Sequence, residues 1–288
     1  MPKTIQAPCG NGELFGLSAG SPRQPGLILL HGWPLSSAIF APVIDHLGED
    51  FFVLAFDLPG VGQSTTTLKS ALKWDIAAAV LDAAESLGAR SILFAGLDVG
   101  GMIAFAAARD QGSRIRGAVV MNTVIPGLDP WEKLLADPRV WHFAFHLIPN
   151  LPETLVVGRE RPYFDFFFDM LSGRKDALSD EVRDELTAAY RPPESLKTGF
   201  DWYRAMPKDA EHNATHRTID TPLLYVRGDG DRRPMEPYLA GFRKVGVTNL
   251  QSKVIKGAGE FLAHEAPDAL VATLREFASA KLNLLEPA

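Results

Sequence analysis

The chain has 288 residues, of which 46% are hydrophobic and 22% are charged, and its formal net charge is -6. This length fits one large domain, or one domain with an insertion, and the composition is that of a globular protein with a sizeable core. The acidic balance and the lack of a Lys/Arg cluster argue against nucleic acid and anionic membranes as partners.

Cysteine usage and the N-terminal stretch favour a cytoplasmic protein. Cys9 is the single cysteine, so an internal disulfide is impossible. Residues 1–10 contain no apolar signal core, and no run of about 18 apolar residues occurs that could span a membrane. We therefore expect a soluble protein without a membrane partner. A homodimer is compatible with this composition, which does not test it.

Short apolar runs in the first half are typical of strands buried in a parallel sheet. They cover residues 27–30, 51–56, 91–95 and 118–121. Helical spacing of apolar residues over 68–87, and an Ala-rich stretch over 102–109, indicate helices between strands. The alternation predicts βαβ units with right-handed crossovers.

The pattern changes between residues 128 and 216, which are rich in aromatic residues, Pro and charge. Helices are predicted over 161–171 and 179–190, the second capped by Ser179 or Asp180. Strand patterns resume at 222–226 and 252–255, and a last helix follows over 266–280. We therefore predict an α/β core over 1–127 and 217–288, with a helical cap (lid) over 128–216 above the carboxyl edge of the sheet.

A glycine-rich turn, AGLDVGGM at residues 95–102, carries Asp98 at its apex. A G-x-Nu-x-G turn between strand and helix strains the central residue and needs small neighbours. It also brings the first N–H groups of the following helix close to that side chain. A helix N-cap is the structural alternative for this aspartate.

Two further segments sit at strand ends: HGWP at residues 31–34 and DLPGVGQS at 57–64. Together with the Asp98 turn, they resemble the α/β-hydrolase fold, in its aspartate-nucleophile branch of epoxide hydrolases and haloalkane or haloacid dehalogenases. The resemblance implies a mostly parallel sheet flanked by helices, a small apolar substrate and no cofactor. It also implies Asp98 as nucleophile, with the N–H groups of Trp33 and Val99 as oxyanion hole. A serine hydrolase is disfavoured because position 98 holds a carboxylate.

Two segments of the predicted cap resemble those that supply epoxide-polarising tyrosines. FDWYRAM at 200–206 maps such a tyrosine to Tyr203, and RPYFDFFF at 161–168 maps another to Tyr163. Phenols stay protonated at neutral pH and can donate to the leaving alkoxide. A halide leaving group needs N–H donors such as indoles, and Val99 stands where some dehalogenases have Trp. Packing of both tyrosines in the cap is the alternative.

The remaining members of a triad are expected after the last two strands. The resemblance maps the acid to Asp231 in RGDGD at 227–231. The usual histidine position, in GAGEFLAHEAP at 257–267, is held by Glu260, and His264 stands at an outer acidic position. Glu260 or His264 could replace the base. Three carboxylates would converge, and at least one pKa should rise.

The interpretations left open by Glu260 are three. The first is a working epoxide hydrolase, with a dehalogenase as the second substrate class. Another is different chemistry on the same scaffold, such as a cyclisation with Asp98 as base. The third is a base-deficient variant or a ligand-binding protein.

For His142 and His146, spaced i, i+4, packing or pocket lining is favoured over a metal site, because no third ligand is suitably spaced.

Overall fold

A computed structural model describes residues 2–282 of the chain. Its centre is one eight-stranded sheet, in the order β1-β2-β4-β3-β5-β6-β7-β8. The strands are β1 Lys3–Cys9, β2 Gly12–Ala19, β3 Gly26–Leu30, β4 Phe52–Phe56, β5 Ile92–Leu97, β6 Ile115–Met121, β7 Leu223–Gly228 and β8 Leu250–Ile255. Antiparallel pairs join β1 to β2 and β2 to β4, and all other pairs are parallel. The predicted α/β class is confirmed.

All six predicted apolar runs form strands, and the central ones are buried along their whole length. Parallel strands are covered on both faces, which explains runs without polar alternation. The N-terminal hairpin of β1 and β2 was not predicted. Its sequence signal is a two-residue Gly-Asn turn at Gly10 and Asn11, in which Gly10 has a positive φ, and β2 shows the alternating burial of a strand with one buried face.

The helices of the core alternate with the strands or follow them along the chain. Those of the core are α1 Ala41–Leu47, α2 Lys73–Ser86, α3 Val99–Asp110, α10 Glu236–Lys244, α11 Leu262–Glu265 and α12 Pro267–Leu282. α3 packs on β5 and β6, and α2 packs on α3. The helix predicted over 68–87 is observed over Lys73–Ser86, and residues 68–72 are not helical.

A helical region between β6 and β7 is consistent with a cap. It comprises α4 Trp131–Leu135, α5 Trp141–Leu147, α6 Leu151–Val156, α7 Glu160–Leu171, α8 Asp180–Ala188 and α9 Pro193–Ala214. We call these six helices the helical insertion. Ser179 caps α8, since its Oγ accepts from the N–H of Val182. The boundaries at residues 128 and 216 remain a prediction.

The chain path creates a crevice at the carboxyl ends of β3 and β5. From β3 it continues to β4 on one side, then returns to β5 on the other side. Open α/β sheets bind ligands where the strand order reverses in this way. Trp33 follows β3 and Asp98 follows β5, so both lie at this point. Among residues 2–282, no helix is both long and apolar enough to cross a membrane.

Candidate active site

Asp98 occupies a strained turn between β5 and α3, with φ of 53° and ψ of -120°. Such a conformation costs a non-glycine residue about 1–3 kcal/mol and persists only where surrounding structure imposes it. The turn also requires glycine nearby, because a Cβ on Gly96 would collide with the carbonyl of Gly100. The Asp98 side chain accepts no hydrogen bond from the second or third N–H of α3, the bond that defines an N-cap. The alternative of an ordinary N-cap therefore lacks its defining contact.

The Asp98 carboxylate lies between two backbone N–H donors. The N–H of Trp33 donates to Asp98 Oδ1 at 2.8 Å, and the N–H of Val99 also bonds this carboxylate. Burial raises the pKa of Asp98 to about 6, although these two donors and the positive charge of Lys73 oppose the increase. The close approach needs Gly32, because a Cβ there would overlap the Asp98 carboxyl group.

His31 fixes the loop that presents the Trp33 N–H. Its buried ring accepts at Nε2 from the Leu58 N–H at 2.9 Å, and its Nδ1 therefore donates to Gly32 O at 2.8 Å. The ring thus ties the loop after β3 to the loop after β4. This agrees with a structural role for His31.

Tyr203 lies in α9 and is 2% exposed. Its ring packs edge-on against Trp33, with centroids 5.7 Å apart. Burial, followed by the charge of Asp98, raises the pKa of Tyr203 well above its usual value. Within residues 2–282, its hydroxyl has no hydrogen-bond partner, so the phenol is a protonated donor that is not otherwise used.

Tyr163 lies in α7 and is half-buried, with its ring 6.0 Å from that of Trp33. Its hydroxyl already bonds Nε2 of His146 at 2.7 Å. Burial raises the pKa of Tyr163 as well. The two mapped tyrosines therefore share one aromatic cluster but differ in the state of their hydroxyl groups.

His142 and His146 of α5 complete this aromatic cluster, which matches the pocket-lining interpretation. Both rings pack on Trp33, and burial lowers the pKa of His142 to about 3 and that of His146 well below its usual value. Neutral rings are therefore expected. Their Nδ1 atoms and Trp33 Nε1 are buried without a partner. In the described part of the chain, no group of three or more His, Cys, Asp or Glu residues could hold a metal ion.

Glu260 lies in the loop after β8 and contacts the helical insertion, where its N–H donates to Leu171 O at 3.0 Å. Burial, then the charges of Asp98 and Asp231, raise the pKa of Glu260 well above its usual value. Glu260 and Asp98 are both half-buried, yet burial is the largest cause of their raised pKa values. The charges of Asp98 and Asp231 thus act on Glu260, and the convergence of the three carboxylates in one catalytic site stays a prediction.

Asn122 positions the Glu260 loop and was missed by sequence reasoning. It follows β6 with a positive φ of 44°. Its Nδ2 donates to Gly259 O at 2.8 Å and Glu260 O at 2.9 Å, and its Oδ1 accepts from the Gly228 N–H at 2.9 Å. The available signal was a polar residue directly after a buried strand.

Asp231 lies after β7, where two arginines hold it. Arg233 Nε donates to its carboxylate at 2.9 Å, and Arg227 forms a second ion pair. Burial alone would raise the pKa of Asp231, but the bonds from Arg233 outweigh it and lower the value. Asp231 thus contributes negative charge near Glu260, while its own carboxylate bonds arginine.

His264 lies in α11 near the backbone of Ile39, in the core segment before α1, and its Nε2 is buried without a hydrogen-bond partner among the described residues. Burial lowers the pKa of His264, so the ring is neutral. In the described chain it forms no hydrogen bond to Asp98, Asp231 or Glu260. Of the two candidate bases, Glu260 is the one on which the charge of Asp98 acts.

This arrangement could support nucleophilic attack by the Asp98 carboxylate, with the Tyr203 phenol as proton donor. The fold that carries it is a known one. The model of the α/β hydrolase fold family matches residues 25–267. The chain belongs to the α/β hydrolase fold family.

Relatives within the family include epoxide hydrolases and dehalogenases. The chain is 27% identical to the soluble epoxide hydrolase of Corynebacterium sp. (strain C12), over 87% of this chain and 89% of that protein. It is 26% identical to the haloalkane dehalogenase of Mesorhizobium japonicum, over 86% and 84%. The solved structure of the epoxide hydrolase CorEH superposes with a TM-score of 0.86 at 24% identity, covering 97% and 99%, and supports the fold. Together these findings support a hydrolase.

Proposed function

We propose that this α/β hydrolase opens small apolar epoxides through an ester on Asp98. One Asp98 oxygen attacks the less hindered ring carbon, the carbon–oxygen bond breaks, and the ring oxygen leaves as an alkoxide that takes a proton. Water then hydrolyses the Asp98 ester to release the diol.

The geometry at Asp98 carries this proposal. A carboxylate on a strained turn, with N–H groups of Trp33 and Val99 on it, can attack with one oxygen. The same donors then stabilise the oxyanion that forms when water attacks the ester. A structural acid would need neither the strain nor the donors.

The phenol of Tyr203 supplies the second requirement of epoxide opening. An alkoxide is a poor leaving group, so a donor aimed at it lowers the barrier. Tyr203 is protonated, buried beside Trp33 and has a hydroxyl not bonded to another described residue. Tyr163 assists through its bond to His146, since that bond orients both groups.

Glu260 takes the role of acid and then of base. We assign the proton to Glu260, because burial and the charge of Asp98 raise its pKa well above its usual value, and the negative charge to Asp98, whose pKa is raised only to about 6. When the alkoxide has taken a proton from Tyr203, Glu260 returns one to the phenolate and becomes a carboxylate. Ester formation also removes the charge of Asp98, which favours ionised Glu260. This carboxylate is the base that activates water, and we expect it to act slowly.

A haloalkane dehalogenase is the second candidate. The indole Nε1–H of Trp33 is buried without a partner and could donate to a leaving halide. The relative from Mesorhizobium japonicum supports this substrate class. In either case the cap covers residues 128–216 and the substrate is small and apolar. A cytoplasmic location and a homodimer remain predictions from composition.

Mass spectrometry of the intact protein after incubation with styrene oxide tests the proposal. We expect a mass increase of one epoxide, and peptide mapping should place it on Asp98. Asp98→Asn is the control and should show no increase. Rapid diol formation without a visible adduct also agrees with the proposal, if oxygen from ¹⁸O-labelled water is incorporated into the Asp98 carboxylate during turnover. Neither adduct nor diol, with halide release from 1-bromobutane instead, would favour the dehalogenase.

A further inference from the structure

A buried ion pair joins α2 of the core to α9 of the helical insertion. Lys73 begins α2 and Asp209 lies in the last part of α9, and each side chain is 2% exposed. Lys73 Nζ lies 2.9 Å from Asp209 Oδ2, and the Lys73 N–H donates to Asp209 Oδ1 at 3.0 Å. Burying two charges costs several kcal/mol per ion, so the pair is weak support for stability and needs another explanation.

The pair bridges a weak point in α9. Pro207 lies inside this helix and has no N–H, so the carbonyl of Tyr203 loses its helical partner. Lys73 Nζ also donates to the carbonyl of Trp202, directly before Tyr203. The ammonium thus contacts α9 before the proline, through Trp202, and after it, through Asp209.

We propose that Lys73 and Asp209 are positioning residues that fix α9 on both sides of Pro207 and so aim the Tyr203 hydroxyl at the reacting oxygen. The inference rests on the proposed epoxide opening. A helix interrupted by proline can bend, and a small change of direction moves a phenol by enough to lose its hydrogen bond. Lys73 is also close enough to Asp98 that its charge lowers the pKa of that nucleophile, which places the pair near the site.

A double-mutant cycle with Tyr203→Phe tests this role. Replacing Lys73 alone would leave Asp209 as a lone buried charge, so the main variant is Lys73→Met with Asp209→Leu, an apolar pair. We expect styrene oxide to alkylate Asp98 about 10- to 100-fold more slowly in this variant, by analogy with misplaced catalytic groups. In the Tyr203→Phe background the same pair of changes should cost less than about threefold.

Lys208→Met is the matched control, because Lys208 is an exposed lysine on the same helix. In Lys208→Met, styrene oxide should alkylate Asp98 at the rate seen in the parent. An equal loss from the Lys73/Asp209 replacement with and without the Tyr203 hydroxyl would overturn the inference, since the pair would then not act through that group.

Fluorine NMR of protein labelled with 3-fluorotyrosine gives a readout without turnover. The chain has five tyrosines, and Tyr203→Phe identifies the resonance of Tyr203. We expect that resonance to shift or broaden in the Lys73/Asp209 variant and to stay unchanged in Lys208→Met. An unchanged Tyr203 resonance would also overturn the inference. If the parent forms neither adduct nor diol, the proposed function fails, whereas this spectrum still decides the positioning role.

Discussion

The region at the ends of β3 and β5 differs from the region at the ends of β7 and β8. In the first, Asp98 has its strained turn and its backbone N–H donors, and the phenol of Tyr203 packs against the neighbouring Trp33. In the second, arginines hold Asp231, and Glu260, whose pKa is raised by burial, stands where the family resemblance implies a histidine. Under the proposed function, the first region supplies ester formation and the second supplies ester hydrolysis. We therefore expect a change in one region to affect one half-reaction more than the other.

The largest expected effect comes from removing the nucleophile. Asp98→Asn should lower epoxide consumption by at least about 10⁴-fold, as loss of a covalent nucleophile does in other hydrolases. Gas chromatography of remaining epoxide measures this. Consumption at the parent rate would show that the first region does not act through Asp98.

The second region is tested by restoring the usual base. Glu260→His should speed hydrolysis of the Asp98 ester by about 10²–10⁴-fold, the usual contribution of a general base. Decay of the adduct after removal of styrene oxide gives the rate. Glu260→Gln is the matched control and should leave the adduct longer-lived than in the parent. No faster decay in Glu260→His would mean that the base is not deficient.

The two tyrosines separate the roles within the first region. Tyr203→Phe should slow ester formation from styrene oxide by about 10²-fold or more, because the leaving oxygen loses its donor. Tyr163→Phe should cost less than about tenfold, since its hydroxyl bonds His146. Neither change should affect displacement of bromide from 1-bromobutane as strongly. Equal losses with both substrates would instead indicate that Tyr203 serves in packing.

Changing the pH sharpens the comparison with a smaller effect. The Asp98 pKa is raised to about 6, so the nucleophile is ionised above this value and protonated below it. Ester formation should therefore rise about tenfold per unit of pH below 6 and level off above it. Rapid quench-flow followed by mass spectrometry of the adduct measures the rate of ester formation. A rate independent of pH across this range would contradict an Asp98 that titrates there.

Asp231→Asn should have the smallest effect on the first step, within about threefold, because Arg227 and Arg233 hold this acid apart from Asp98. Its effect should fall on hydrolysis of the ester, since its charge acts on Glu260. The same adduct assay separates the two steps. A large loss of ester formation would show that Asp231 supports the nucleophile directly.

The sequence alone predicted six of the eight strands, the turn at Asp98 and the residues that stand at the ends of those strands. Buried parallel strands need apolar runs, and a tight turn needs glycine, so local patterns specify both. Glu260, at the position where the resemblance implies a histidine, was visible in the same way, and its role stays a prediction. Tyr203 was assigned from a short sequence segment, although the helix that carries it, α9, was not predicted.

Only the tertiary structure decided which of these groups act on one another. The bond of Tyr163 to His146 and the support of Glu260 by Asn122 join distant segments. The pairing of Lys73 with Asp209 spans 136 residues. No local period encodes such contacts, because they depend on the path by which the helical insertion returns over the sheet. Burial then sets the protonation of Asp98 and Glu260, and burial is a property of the folded chain as a whole.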